Sequence, residues 1–142
     1  MMDQNLINDE IHTLVKALGY SVVELQLNPL RGGYKILLYI YKQGGIGSAD
    51  CDLVSTTLAP RIQALSEGQN ASIEVSTPGI DRVFKSQAEY HIFDGLLVRV
   101  IGHKGQVTTG RLNNVNTENF SVGDTVISYN DVAKCALTYT PV

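Results

Sequence analysis

The stretch Ser76-Thr77-Pro78-Gly79-Ile80-Asp81-Arg82 decides how this 142-residue chain is divided. Pro78-Gly79 is a turn pair, since proline presets one backbone angle and glycine tolerates the next. The patterning of apolar residues differs on its two sides. Upstream, helical and strand periods alternate; downstream, the chain reads almost entirely as short strands.

Working back from the turn, Ser72 to Ser76 is a short strand with Ile73 and Val75 inward. Before it, Cys51, Val54, Leu58, Ile62 and Leu65 mark the apolar stripe of a helix that Ser48 is expected to cap, with Pro60 expected to bend it. Tyr34 to Lys42 alternates as a strand, with Ile36, Leu38 and Ile40 on one face and Leu37, Tyr39 and Tyr41 on the other. Val23, Leu25 and Leu27 form an earlier strand that pairs with it as a hairpin, and Ile7, Ile11, Leu14, Val15 and Leu18 a first helix that Gly19 stops. The order is α-β-β-α-β, two helices on a three-stranded sheet.

Working forward, Ser86 is expected to cap a short helix through Phe93. Five strands follow: Leu96 to Ile101, Gln106 to Leu112, Asn119 to Val122, Thr125 to Ser128 and Lys134 to Tyr139. Five short strands in so little chain predict a small SH3/Sm-like five-stranded β-barrel. The fold class is therefore α+β, with residues 1–84 an N-terminal domain that includes the linker and residues 85–142 the barrel domain.

Composition narrows the function. There are 11 Lys+Arg against 14 Asp+Glu, a formal charge of −3, which disfavours binding nucleic acid over the whole surface. The charge is uneven. Residues 1–84 hold 6 basic and 9 acidic residues, whereas residues 82–111 hold Arg82, Lys85, Arg99, Lys104 and Arg111 against Glu89 and Asp94. An acidic part suits a basic protein, and the basic stretch suits RNA or carboxylates. Those five cations are the expected partner or RNA contacts. No apolar run is long enough to span a membrane, and the first residues lack the pattern of a secretory signal, so a cytoplasmic protein with reduced thiols is expected.

Other motifs read structurally. Gly44-Gly45-Ile46-Gly47-Ser48 lies between a strand and a helix, but lacks a following lysine and faces Asp50 and Asp52, so it is a turn more than a phosphate cradle. Gly102-His103-Lys104-Gly105 lies between strands and is a hairpin turn, not an RNA-clamping loop between helices. His12, His91 and His103 share no catalytic or metal-binding spacing. Glu74 and Asp81 are the single candidate carboxylate pair, and each is more readily a solvated or locally paired group. Cys51 and Cys135 fall on apolar faces as small core residues. Tyr39 and Tyr41 are either an exposed patch or covered by the rest of the chain. No catalytic residue, metal ligand or cofactor is expected.

The stretch Ile73-Glu74-Val75-Ser76-Thr77-Pro78-Gly79-Ile80-Asp81-Arg82 resembles the E-V-S-S-P-G-L-D-R-P signature of the bacterial ribosome maturation factor family RimP. Ser76, Pro78, Gly79, Asp81 and Arg82 match it, and are read as a domain-junction motif in which Asp81-Arg82 pins the junction. Ala17 to Leu25, Gly45 to Cys51 and Asp131 to Leu137 are similar, in order, to further family stretches. Val83 departs from the family's proline, and the family's basic first hairpin is reduced to Arg31 and Lys35. The resemblance implies a non-catalytic factor for small-ribosomal-subunit assembly that binds the free, immature subunit. Its expected partners are small-subunit rRNA and a basic ribosomal protein near the decoding centre; the factor itself is expected to be monomeric. A lone Sm-like regulator of single-stranded RNA is the alternative reading.

Overall fold

A computed structural model describes residues 4–138. Contacts divide the chain into two compact units, Met1–Pro78 and Gly79–Val142.

The first unit follows the expected order. Helix α1 (Gln4–Ala17) buries Ile7, Ile11 and Val15, one residue per turn along a single stripe. Strands β1 (Ser21–Leu30) and β2 (Gly33–Tyr41) form an antiparallel hairpin. Helix α2 (Ser48–Leu65) then crosses over, and β3 (Asn70–Ser76) pairs parallel to β2, giving the sheet order β1-β2-β3. A parallel neighbour requires such a crossover, because a tight turn can only reverse the chain. Ile36, Leu38 and Ile40 meet Val54, Leu58, Ile62 and the α1 stripe in one core. Burying each such side chain contributes about 1.5–3 kcal/mol. Tyr39 and Tyr41, on the other face of β2, are half-buried.

Two local details set this unit. Gly33 lies against β3 so closely that a Cβ there would stand 1.8 Å from the Asn70 carbonyl oxygen, so only glycine admits the pairing. The helix α2 cap is Gly47, not Ser48, because Asp50 reaches back. Its Oδ2 accepts from the Gly47 N–H at 2.8 Å, and its Oδ1 accepts from the Tyr20 hydroxyl at 2.5 Å. Pro60 does not end the helix, which continues to Leu65.

The second unit begins at Gly79, inside the stretch read as the linker of the first domain. Leu137 donates its N–H to the Arg82 carbonyl, Phe84 donates to the Cys135 carbonyl, and Val83 bridges Ala136. These bonds tie residues 82–84 to the last strand, which is why the division falls after Pro78. Helix α3 (Ala88–Ile92) leads into β4 (Leu97–Gly102), β5 (Val107–Asn113), β6 (Asn119–Val122), β7 (Thr125–Ser128) and β8 (Val132–Leu137). The expected last strand reaches Tyr139, which lies outside the described residues. All neighbours are antiparallel, in the order β7-β6-β5-β4-β8.

The pairing corrects the expectation of a closed barrel. A 3-10 turn at Tyr129–Asp131 ends β7, and the next strand leaves to pair with β4, so β7 and β8 remain the two ends of an open ladder. Phe84, Tyr90, Phe93, Phe120 and Tyr129 fill this unit, with ring centroids 4.8–5.2 Å apart in edge, tilted and stacked pairs.

The backbone N–H of Gly47, the Tyr20 hydroxyl and nearby Lys42 hold the Asp50 carboxyl below its ordinary value. A lowered folded-state value stabilises the protein above the unfolded carboxyl's pKa of about 3.9, and that contribution disappears as pH falls through the folded value. Asp50→Asn is therefore expected to lower the Tm at pH 7 and to flatten the loss of Tm below about pH 4, followed by circular dichroism against pH.

Candidate functional site

Register places the basic side chains of the second unit. Val98 and Val100 of β4 are buried, so Leu97, Arg99 and Ile101 lie on the opposite face of the strand. Arg99 pairs with Thr109 of β5 on one side and Ala136 of β8 on the other. Ile101 lies between Val107 and Lys134, and Leu97 is opposite Arg111. Arg99, Arg111 and Lys134, all exposed, thus occupy one sheet face on three adjacent strands. None of the paired positions on this face carries a carboxylate.

Beside this face is a groove of roughly 300 Å³, lined among others by Ile80, Asp81, Val83, Arg99 and Lys134. Ile80 is 72% exposed. Lys104 stands in the β4–β5 turn, where its N–H donates to the Gln106 side-chain oxygen. Such a cluster of cations against partly apolar surface attracts phosphate or carboxylate groups. Lys134 is the residue that sequence reading missed. The alternation of Cys135 and Leu137 already implied that Lys134 and Ala136 face the other way, but the β8–β4 pairing was needed to place them beside Arg99.

Arg82, expected among the surface contacts, is largely withdrawn into the second unit. Its side chain is 9% exposed and its Nε donates to Glu89 Oε1 at 2.8 Å, while the Glu89 side chain is 1% exposed. Glu89 Oε2 also accepts from the backbone N–H of Lys85 at 2.9 Å and of Ser86 at 3.2 Å. One carboxylate thus holds a guanidinium and caps the start of α3, the task expected of Ser86; the residue before the helix, Gln87, makes no side-chain cap. Lys85 is exposed on this connection and lines a groove together with Lys134.

The junction motif is divided between the units. Ser76 ends β3 and Pro78 ends the first unit. Gly79 accepts from the Arg82 N–H at 3.1 Å, closing a turn within the second. Glu74 and Asp81, the carboxylates considered as a pair, fall in different units. Cys135 is buried, and burial pushes its thiol up to about 11, so it stays protonated at neutral pH. Burial, with Asp50 and Asp52 nearby, raises Cys51 as well. Among the described residues, no three His, Cys, Asp or Glu side chains gather at metal-binding range, and no helix is long and apolar enough to cross a membrane.

Fold and face together define a two-unit α+β protein whose second unit carries a cationic sheet surface. The family described as the RimP N-terminal domain matches residues 10–81. Among curated proteins, the "Ribosome maturation factor RimP" of Borrelia recurrentis (strain A1) is 36% identical over 100 residues, 66% of this chain and 68% of that protein. The protein of the same name from Borrelia hermsii (strain HS1 / DAH) is 32% identical over 99 residues, with the same shares. The chain belongs to the RimP family.

Removing one member of a buried ion pair strands the other, at a cost of about 3–5 kcal/mol, whereas replacing both with apolar residues is often neutral. Glu89→Leu alone is expected to destabilise the protein by about that amount, and the double variant Arg82→Met, Glu89→Leu by clearly less. Denaturant unfolding of the three proteins measures the difference.

Proposed function

We propose that this protein is a ribosome maturation factor that promotes assembly of the small ribosomal subunit by binding the immature subunit. Membership of the RimP family carries the reading. The distribution of charge supports it. The first unit holds 5 basic and 8 acidic residues, suiting a basic ribosomal protein, and the second presents Arg99, Arg111 and Lys134 on one face, suiting rRNA phosphates. Lys104 and Lys85 extend the basic surface. The site of action is the cytoplasm and the factor works as a monomer. Its second unit is, in this reading, an opened relative of the SH3- and Sm-type sheets.

The mechanism requires no covalent chemistry. A factor that binds one arrangement of RNA and protein more tightly than its competitors raises the population of that arrangement by its difference in affinity. An acidic unit and a cationic face on the other let one short chain hold a protein and an RNA segment at once. Phosphate contacts position a partner without reading its sequence, which suits a structural target.

A regulator that binds single-stranded RNA alone fits less well. Such proteins stack bases on aromatic side chains. The paired positions of the cationic face are Leu97, Ile101, Val107, Thr109 and Ala136 around the three cations, with no aromatic ring among them.

On sucrose gradients the protein is expected to travel with free small subunits and to be absent from mature ribosomes. Arg99→Glu, Arg111→Glu and Lys134→Glu together are expected to reduce that association at least about tenfold, roughly 1.4 kcal/mol, with an unchanged Tm. Equal binding to free subunits and mature ribosomes, or to neither, overturns the proposal.

A further inference from the structure

Among the described residues, the sheets of the two units end in four edge strands, and three of them are guarded. Strand β1 carries a bulge between Val22 and Glu24 and a proline at 29, both of which disrupt pairing with an incoming strand. Strand β7 is four residues long. Strand β8 is covered by the chain itself, because residues 82–84 hydrogen-bond to it through Arg82, Phe84, Cys135 and Leu137. Strand β3 has none of these devices. It is seven residues long, regular in register with β2 from Asn70 to Ser76, and contains neither proline nor lysine.

The direction of its main-chain groups follows from one bond. Asn70 donates its N–H to Gly32 of the β2 hairpin. In a parallel ladder alternate residues turn their N–H and C=O to the same neighbour. Asn70, Ser72, Glu74 and Ser76 therefore face β2, and the main chains of Ala71, Ile73 and Val75 face outward. Among the described residues no hydrogen bond reaches those three from outside the sheet.

The surroundings of the edge are polar in one direction. Where β3 begins, a groove is lined by Arg31 with Asn70, Ala71 and Ser72. Where it ends, another is lined by Asp52 with Val75, Ser76 and Thr77, and the exposed Glu74 carboxylate belongs to the same half of the strand. An unpaired row of N–H and C=O groups is a template on which another extended main chain can replace water along its whole length. Carboxylates along its second half favour Lys or Arg on that chain.

The geometry points to β3 as a strand-addition site: a basic, extended polypeptide segment pairs with the outward main chains of Ala71, Ile73 and Val75, its cations lying toward Glu74 and Asp52. This rests on the reading that the acidic first unit meets a basic protein, and names the element and the bonding it uses. Main-chain bonds supply affinity with little demand on sequence, and the charge gradient sets the direction of the added strand.

The test uses the full chain and a short peptide alternating lysine with valine, with a glutamate–valine peptide as the control. In the free protein, amide hydrogen exchange read by NMR is expected to be fast at Ala71, Ile73 and Val75 and slow at Ser72 and Glu74. The lysine peptide is expected to slow the first three at least about tenfold; the glutamate peptide is not. Ala71→Pro deletes one outward donor without touching the β2 ladder, and is expected to weaken lysine-peptide binding several-fold with little change in Tm. Glu74→Lys is expected to do the same through charge. Protection of the three amides in the free protein, equal binding of both peptides, or unchanged binding by Ala71→Pro overturns the inference. So does a concentration-dependent dimer that protects the same amides, which assigns the edge to a second copy. Gradient association of the unaltered protein tests the broader reading separately, since the edge can fail while the protein still travels with small subunits.

Discussion

The second unit is organised around one buried carboxylate. Glu89 takes the Arg82 guanidinium at 2.8 Å and the N–H groups of Lys85 and Ser86, so both ends of the segment before α3 are fixed to one side chain. With Arg82 and Lys85 fixed, Phe84 between them is directed into the aromatic cluster, and residues 82–84 align along β8. That alignment forms the wall of the groove beside Arg99 and Lys134. A charge out of water is costly unless paired. Here one carboxylate takes an ion pair and two backbone N–H groups of the same segment, which fixes its geometry at this point. The signature arginine thus acts inside the unit, whereas Lys85, Arg99, Arg111 and Lys134 are exposed.

The division of labour between charges has a physical logic. Exposed lysines and arginines contribute little to folding, because water screens them and their side chains are mobile. The sheet face can therefore carry Arg99, Arg111 and Lys134 together at small cost. In the first unit the carboxylates are tied into structure where they are useful, as with Asp50 at the α2 start and Glu10 with Arg61 between the helices. Others, such as Glu74, stay on the surface.

Much of this was legible in the sequence because it is periodic. The α1 stripe, the alternation along β2 and the five short strands after residue 95 all follow from local spacing. What the sequence hid depends on side chains reaching across turns. Arg82 reads as a surface cation because its partner is seven residues away, beyond a turn whose path no pattern reveals. Ser48 and Ser86 look like caps, yet Asp50 and Glu89 do the work by reaching back. Five short strands suggested closure, but closure depends on which strand β8 chooses, a long-range matter settled at β4. The cationic face was half visible: Arg99 and Arg111 stood out by charge, and Lys134 joined them only once strand order was known.

The parallel pairing of β3 with β2 has a consequence for how the chain reaches its native state. The sheet of the first unit is completed only after α2 has formed and carried the chain back, so β2 spends the interval with one side unpaired. Closing that long excursion is the entropically expensive step, and it precedes the contacts that reward it. During synthesis the hairpin of β1 and β2 is made well before its third strand emerges. The time when this unit is most open to wrong pairing is therefore the time needed to make about thirty residues, at about 5–20 residues per second. Gly33, which lets β3 approach at all, is where that vulnerable period ends.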